Sequence, residues 1–254
     1  MRKNTIHILV VEDEPAHAEA VKRAFQQTAG LVHLTLAFSV KEALAELRKS
    51  IPELVITDWL LPDGKGTDIL SSDNQVFPVV LMTSHGNEQV AVEAMKAGAL
   101  DYVVKSPAVF ADMPHIAERA LKQWELLIEN RRSQEKLRES EERFRTVFEQ
   151  GPLGINILGL DYRFVAVNAA FSQVVGYSQD ELTKLKFPDV TYPEDLETDV
   201  DQAKKLLSGE APYYKMEKRL VKKQGEIVWI AFTPGRSEEL TLSCSYLLTR
   251  LMRE

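Results

Sequence analysis

Two acids in tandem, Glu12-Asp13, close an apolar run, Ile6-His7-Ile8-Leu9-Val10-Val11. A third, Asp58, closes a second run, Leu54-Val55-Ile56, just ahead of the turn signal Pro62-Asp63-Gly64. Thr83 ends a third run beginning at Pro78, and Lys105 ends a fourth, Asp101-Tyr102-Val103-Val104. Short apolar runs of this kind form strands buried on both faces. In a parallel sheet the carboxyl ends of the strands share one edge, and ligands collect there. Three carboxylates at close quarters repel unless a cation stands between them, and hard oxygen donors suit Mg²⁺. A hydroxyl and an ammonium opposite them would bind the other oxygens of a phosphoryl group. The implied chemistry is a carboxylate nucleophile, Asp58, that accepts phosphate by in-line displacement. Taken singly, each residue has a plainer reading. Glu12 and Asp13 could cap a helix, Lys105 could be a solvated surface lysine, and Thr83 a turn residue.

The elements that must position these groups read in order. After the first strand, Pro15 opens a helix in which Ala18, Val21 and Phe25 recur at helical spacing up to Gly30. His33 to Phe38 is a second strand, and Ser39 to Ser50 a helix with Ala43, Leu44 and Leu47 inward. A short helix follows the Asp58 strand at about Thr67 to Ser72. Glu88 to Ala97 is helical, with Gly98 placed as its cap. Five strands alternating with helices imply a doubly wound parallel α/β sheet.

Residues 5 to about 125 resemble the receiver domain of two-component response regulators. The resemblance rests on Glu12-Asp13, Asp58 with Leu61-Pro62-Asp63-Gly64, Thr83-Ser84, Ala97-Gly98-Ala99, and Tyr102 with Lys105. It implies a flavodoxin-like fold and Mg²⁺-dependent phosphotransfer to Asp58 from a histidine kinase or phosphotransfer protein. It implies metal ligation by Asp13, Asp58 and the Leu60 backbone carbonyl, with Glu12 acting through water. Lys105 would pair with the acyl phosphate, Thr83 with Ser84 would engage it, and Tyr102 would swing inward as the readout. Leu60 and His85 would tune how fast the acyl phosphate hydrolyses. An apolar Leu60 cannot orient an attacking water, so the phosphoaspartate is expected to last minutes or more. The stretch between Asp58 and Thr83 is shorter than usual for such domains, so its helix should be stunted. Lys105 is followed by Ser106-Pro107, where proline often comes directly after the lysine.

Asp112 is a good N-cap, and from Met113 to about Gln150 there is no glycine and only the early Pro114. This reads as one helix, roughly 55 Å long at about 1.5 Å per residue. Its middle mixes both charge signs, which suits a solvated spacer, and Glu139 with Arg143 is a supporting pair. The loosely heptad spacing of Leu127, Leu137, Phe144 and Phe148 also allows a parallel dimer coil.

Beyond Gly151 the pattern changes to short strands around a few helices. Hairpins are expected at 155–167 and 214–232, the second turning at Gln224-Gly225, with helices at 168–175, 179–185 and 193–207 and a last strand at 240–248. This α+β part with an antiparallel sheet resembles a PAS sensory domain. The resemblance is carried by Phe144-Arg145, Asp161, Val167-Asn168, Phe171, Gly176-Tyr177, Tyr192-Pro193-Glu194-Asp195, and Gly225 with Trp229. The expected division is a receiver over 1–125, a helical linker over 126–142 and a PAS domain over 143–254. All five histidines precede the PAS part, and the cysteine motif of light-sensing flavin domains is absent, so neither haem nor covalent flavin is expected. Phe164, Phe171, Phe187 and Trp229 read as core, Cys244 as a small core residue, and any PAS ligand is unknown.

Charge and composition narrow the class. A net charge of -7 argues against a nucleic-acid surface, and one cysteine excludes an intrachain disulfide. No apolar run is long enough to enter and span a membrane, and the N-terminus has no signal-peptide pattern, so a cytoplasmic protein is expected. The first expectation is a two-component phosphoprotein of a phosphorelay, working through signal transduction along the helix and not as an enzyme. A homodimer through the helix or the PAS part would fit. A longer hybrid sensor kinase containing this portion, or a PAS ligand sensor with a silent receiver, are the alternatives. A phosphatase of the haloacid-dehalogenase type would want a second Asp where Leu60 stands.

Overall fold

The computed structural model describes residues 5–26, 30–70, 76–84, 86, 88–236 and 240–247, with 236 and 240–247 described by backbone alone. The chain divides into two compact units, Met1–Gln134 and Glu135–Glu254.

Unit one is built on strands β1 (Ile6–Val11), β2 (Val32–Ala37) and β3 (Leu54–Asp58). A two-residue hairpin follows, β4 (Leu60–Leu61) with β5 (Gly64–Lys65), then β6 (Val79–Thr83) and β7 (Asp101–Val104). The five long strands are parallel in the order β2-β1-β3-β6-β7, the flavodoxin-like order. Every residue of β3 and β6 is buried, which the unbroken apolar sequence requires of strands covered on both faces. Each large aliphatic side chain so covered contributes about 1.5–3 kcal/mol of transfer free energy.

Helices α1 (Pro15–Phe25), α2 (Val40–Lys49) and α3 (Glu88–Lys96) connect strands, and α4 (Pro107–Ala111) follows β7. α1 buries Ala18, Val21 and Phe25, as its spacing requires. Leu44 departs from expectation, since it is exposed while Val40 and Ala43 carry the inner face of α2. The expected helix at 67–72 is a single 3₁₀ turn, Gly66–Ile69, and Ser71 and Ser72 lie outside the described residues. The tight β4–β5 hairpin takes up the chain that a longer helix would need. The long helix α5 runs Met113–Gln150, and within unit one Met113, Ile116, Ala117 and Ala120 pack into the core beside Val10 and Ile56.

Unit two contains β8 (Gly154–Gly159) and β9 (Phe164–Val167), then α6 (Ala169–Val175), α7 (Gln179–Leu182), α8 (Phe187–Val190) and α9 (Pro193–Ser208). Strands β10 (Met216–Val221), β11 (Ile227–Arg236) and β12 (Leu240–Leu247) complete an antiparallel sheet in the order β10-β11-β12-β8-β9. The last strand is therefore the centre of the sheet, paired with β11 on one side and β8 on the other. α7 stops short of Leu185, and α8 is a turn that sequence spacing did not anticipate. Gly225, at φ +85°, supplies the left-handed position that the β10–β11 turn needs. Trp229 also differs from expectation: it lies outside the buried core and covers the Arg219 guanidinium at 5.4 Å.

Candidate functional site

The strand order reverses between β1 and β3, and the crevice at such a switch point lies outside the strands' carboxyl ends. The acidic pair leaves β1 there, and Asp58 ends β3 beside it. Ligand atoms of Glu12, Asp13 and Asp58 all lie within 4.8 Å of one another. Glu12 and Asp58 are buried, whereas Asp13 is exposed. The capping account of the acidic pair does not hold: α1 has Glu14 at its N-cap position, with no side-chain capping bond.

Lys105, just past β7, reaches into this cluster. Its ammonium donates to Asp58 Oδ2 at 2.5 Å and to Glu12 Oε1 at 2.8 Å. The surface-lysine account fails too, because only 5% of its side chain is exposed. Burial works to lower the Lys105 pKa, but the hydrogen bonds to Asp58 and Glu12 outweigh it and the value is raised. Glu12 is raised as well, by burial first, with Lys105 pulling in the other direction and Asp58 adding to the rise. Glu12 Oε2 also lies 2.7 Å from the ammonium, so both oxygens of this carboxylate face Lys105. Three carboxylates facing one ammonium leave an excess of negative charge among hard oxygen donors. A divalent cation such as Mg²⁺ fits that donor set.

Thr83 is buried at the end of β6, and its carbonyl accepts the Lys105 N–H at 2.8 Å, which ties the two strand ends together. Ser84 is exposed, and His85 lies outside the described residues. Leu60 is 62% exposed in the hairpin next to Asp58. Tyr102 is half-buried against Trp59, Leu81, Ala94 and Ala99.

Several residues shape the site through contacts that the sequence did not signal. A Cβ on Gly66 would stand 2.1 Å from the Asp58 carbonyl oxygen, so only glycine lets the β4–β5 hairpin fold back against the acceptor. The Gly66 N–H donates to the Trp59 carbonyl at 3.0 Å, fixing that return. Asp63 accepts from the Val40 and Lys41 N–H groups at 2.8 and 2.9 Å, and those bonds hold its carboxyl below the usual range. The turn is thus anchored to the start of α2. His17 Nδ1 stands 3.4 Å from Glu12 Oε1, with its ring against Phe110. The only signal for His17 was its place one turn into α1.

Unit two holds a second buried charge cluster. Lys218 on β10 and Asp199 on α9 form an ion pair, and Thr191 Oγ1 lies 3.3 Å from Asp199 Oδ2. The Tyr214 hydroxyl donates to Asp199 Oδ1 at 3.4 Å. The Lys218 ammonium also sits over the faces of Phe232 and Phe187, at 4.3 and 5.1 Å. Burial lowers the Lys218 pKa, with Asp199 working against it. The next residue of β10, Arg219, stacks on Tyr192 at 4.3 Å and donates to Asp195 at 2.7 Å. Asn168 forms a four-bond node. It accepts from the Ile155 and Phe171 N–H groups, and donates to the Phe148 and Leu153 carbonyls at 2.7 and 2.8 Å. The last turn of α5 is thereby fixed to the sheet of its own unit.

Residues 8–112 match the response regulator receiver domain family, and residues 164–233 match the PAS fold family. Among curated relatives, methanogenesis regulatory protein FilR1 of Methanothrix harundinacea is 36% identical over 123 residues, covering 46% of this chain and 28% of that protein. Probable diguanylate cyclase DgcE of Escherichia coli is 43% identical over 91 residues, covering 36% of this chain and 8% of that protein. The chain thus spans little more than a quarter of the first relative and less than a tenth of the second. A solved CheY-like receiver domain protein from Methanospirillum hungatei is 23% identical, covering 48% of this chain and 98% of its own, with a TM-score of 0.42. Among the described residues no helix is long and apolar enough to cross a membrane.

Proposed function

We propose that this chain, a response regulator receiver domain followed by a PAS domain, is a two-component signalling protein that takes a phosphoryl group onto Asp58. The observation that carries the reading is the buried triad of Glu12, Asp58 and Lys105, with ammonium and acceptor carboxylate 2.5 Å apart. One Asp58 carboxylate oxygen attacks phosphorus in line, the O–P bond forms, and the N–P bond to a histidine of the donor kinase or phosphotransfer protein breaks. The imidazole leaves with the electron pair. Lys105 then exchanges its contact with the free carboxylate for one with the transferred phosphoryl oxygens, charge-assisted throughout. Thr83, on the neighbouring strand end, offers a hydroxyl to the same group, and Tyr102 responds through its packing on Trp59. Mg²⁺, held by Asp13, Asp58 and the Leu60 carbonyl with Glu12 behind, would neutralise charge on the phosphoryl oxygens.

Transmission to the PAS domain is assigned to α5. Its first turns belong to the receiver core, and its last turn is bonded by Asn168. The helix is continuous from residue 113 to 150, so its two ends belong to one element that each unit can bias. The domain division proposed remains receiver 1–125, linker 126–142 and PAS 143–254.

Labelling with acetyl phosphate and Mg²⁺, on the wild type and Asp58→Ala, tests the acceptor. Label that depends on Mg²⁺ and vanishes in the variant is expected. Equal labelling of both proteins would sink the assignment. Size-exclusion chromatography on the same samples reads whether phosphorylation drives self-association.

A further inference from the structure

The amino ends of the parallel strands carry a second group of donors, at the edge opposite Asp58. His7 on β1 and His33 on β2 are partners in the strand register. Residues so paired in a parallel ladder project from the same face of the sheet. Their ring centroids stand 5.3 Å apart, with the planes tilted by 39°. His7 is half-buried and His33 is exposed, so solvent reaches the pair through His33. His7 Nε2 lies 2.8 Å from Thr35 Oγ1 on β2. Glu53, just ahead of β3, accepts the His7 backbone N–H on its carboxylate at 2.7 Å, and its own N–H donates to the His7 carbonyl at 2.8 Å. Two of the chain's five histidines thus meet across one strand pair, with a carboxylate fixed beside them.

Packing alone would account for a tilted ring pair at a sheet edge, but the donor chemistry goes further. Neutral imidazoles suit Zn²⁺, Ni²⁺ and Cu²⁺, whereas Mg²⁺ prefers oxygen donors such as those around Asp58. Two ring nitrogens, each about 2.0–2.1 Å from a tetrahedral Zn²⁺, stand roughly 3.4 Å apart. Rings with centroids 5.3 Å apart reach that spacing by turning about χ2, a soft torsion in histidine. In metal-binding imidazoles a hydrogen bond on one ring nitrogen fixes the aim of the other. With His7 Nε2–H donating to the Thr35 hydroxyl, Nδ1 carries the lone pair for a metal. We infer that His7 and His33 form a two-imidazole site for a divalent transition ion of the Zn²⁺ class, with Glu53 as the neighbouring carboxylate and water completing the shell. An ion held there ties the edge strand β2 to β1 and stabilises the receiver. The inference is independent of Asp58 and its phosphorylation.

Equilibrium dialysis of the full chain against Zn²⁺, with Mg²⁺ in large excess to occupy the acidic cluster, reads the ion bound. Stoichiometric Zn²⁺ is expected. Losing an outer partner of a metal ligand costs roughly 10–100-fold in affinity, so losing the ligand itself in His33→Asn should cost at least about a hundredfold. His33 is exposed, and that variant keeps the fold. His7→Gln should weaken binding to the same extent, whereas Asp58→Asn should bind Zn²⁺ as the wild type does. Zn²⁺ should also raise the unfolding midpoint of the wild-type receiver and slow amide hydrogen exchange along β2, with neither effect in His33→Asn. Binding that survives His33→Asn and is lost in Asp58→Asn would assign the ion to the acidic cluster and overturn the inference. A wild type that binds no Zn²⁺ at micromolar concentration would overturn it as well, leaving ring packing as the whole role of the pair.

Discussion

Each unit buries one lysine against carboxylate, and the two clusters are driven in opposite directions. Lys105 faces Glu12 and Asp58 together, and its pKa rises despite burial. Lys218 faces Asp199 alone, packed between two aromatic rings, and burial lowers it. The difference is one of stoichiometry. Three carboxylates around one ammonium leave negative charge unbalanced, which is a standing demand for a cation or for a chemical change. One carboxylate beside one ammonium is balanced, and such a pair with Thr191 and Tyr214 around it closes on itself. Buried ion pairs thus carry no single meaning, and the surplus or balance of charge decides what a cluster can take up.

The largest effect expected breaks the balanced cluster. Asp199→Ala leaves the buried Lys218 ammonium without its counter-charge and should destabilise the PAS unit by about 3–5 kcal/mol. The double change Asp199→Leu with Lys218→Met should recover most of that loss. Urea unfolding read by Trp229 fluorescence measures both, and a double variant as unstable as the single one would refute the account.

Close behind comes Gly66→Ala. Its methyl group meets the Asp58 carbonyl at 2.1 Å and should cost about 1–3 kcal/mol in the receiver. It should also slow acetyl phosphate labelling, because the acceptor's loop must shift. Wild-type labelling and stability together would show that the hairpin gives way without moving Asp58.

Alkaline titration separates the two lysines more finely. For Lys218 the folded state binds its proton less well than the unfolded chain, whose lysine titrates near 10.5. Stability of the PAS unit should therefore rise with pH from the lowered folded value up to about 10.5, and Lys218→Met should abolish that rise. For Lys105 the folded value is raised, so its contribution is complete below 10.5 and is lost only as pH climbs through the folded value. Glu12, also raised, contributes below 4.5 and loses that contribution as pH rises through its folded value. Unfolding midpoints across pH 7 to 11 read the lysines. A PAS midpoint that falls from neutrality would contradict the direction for Lys218.

The surplus of charge predicts that Mg²⁺ raises the unfolding midpoint of the receiver and leaves that of the PAS unit unchanged. Lys105→Met, by removing the competing ammonium, should tighten Mg²⁺ binding. The smallest effect is expected on α5, where Arg138 pairs with Glu135 and Glu142 in full solvent contact. Arg138→Ala should change stability by no more than about 0.5 kcal/mol. A phosphoaspartate lifetime of minutes or more, followed after donor removal, probes the apolar Leu60 beside Asp58. Decay within seconds would exclude that role.

Sequence alone determined the elements whose cause is local. The near-continuous apolar runs of β1, β3 and β6 read as strands covered on both faces, and the alternation with helices makes them parallel. That much places Glu12, Asp13, Asp58, Thr83 and Lys105 on one edge, because chain direction fixes which end of each strand they occupy. The 38 residues of α5 needed only the absence of glycine and interior proline. Tertiary structure decided what depends on contacts distant in the chain. Gly66 matters through a backbone atom eight positions away, and Asp63 through amides 22 and 23 positions away. Leu44, exposed on α2, and Trp229, half-buried over Arg219, have core-like side chains that lie outside the buried core. Asp199 and Lys218, each an ordinary surface residue in sequence, become a buried pair only when α9 closes over β10. Local pattern records solvent exposure one element at a time, whereas burial of a charge is a property of two elements meeting.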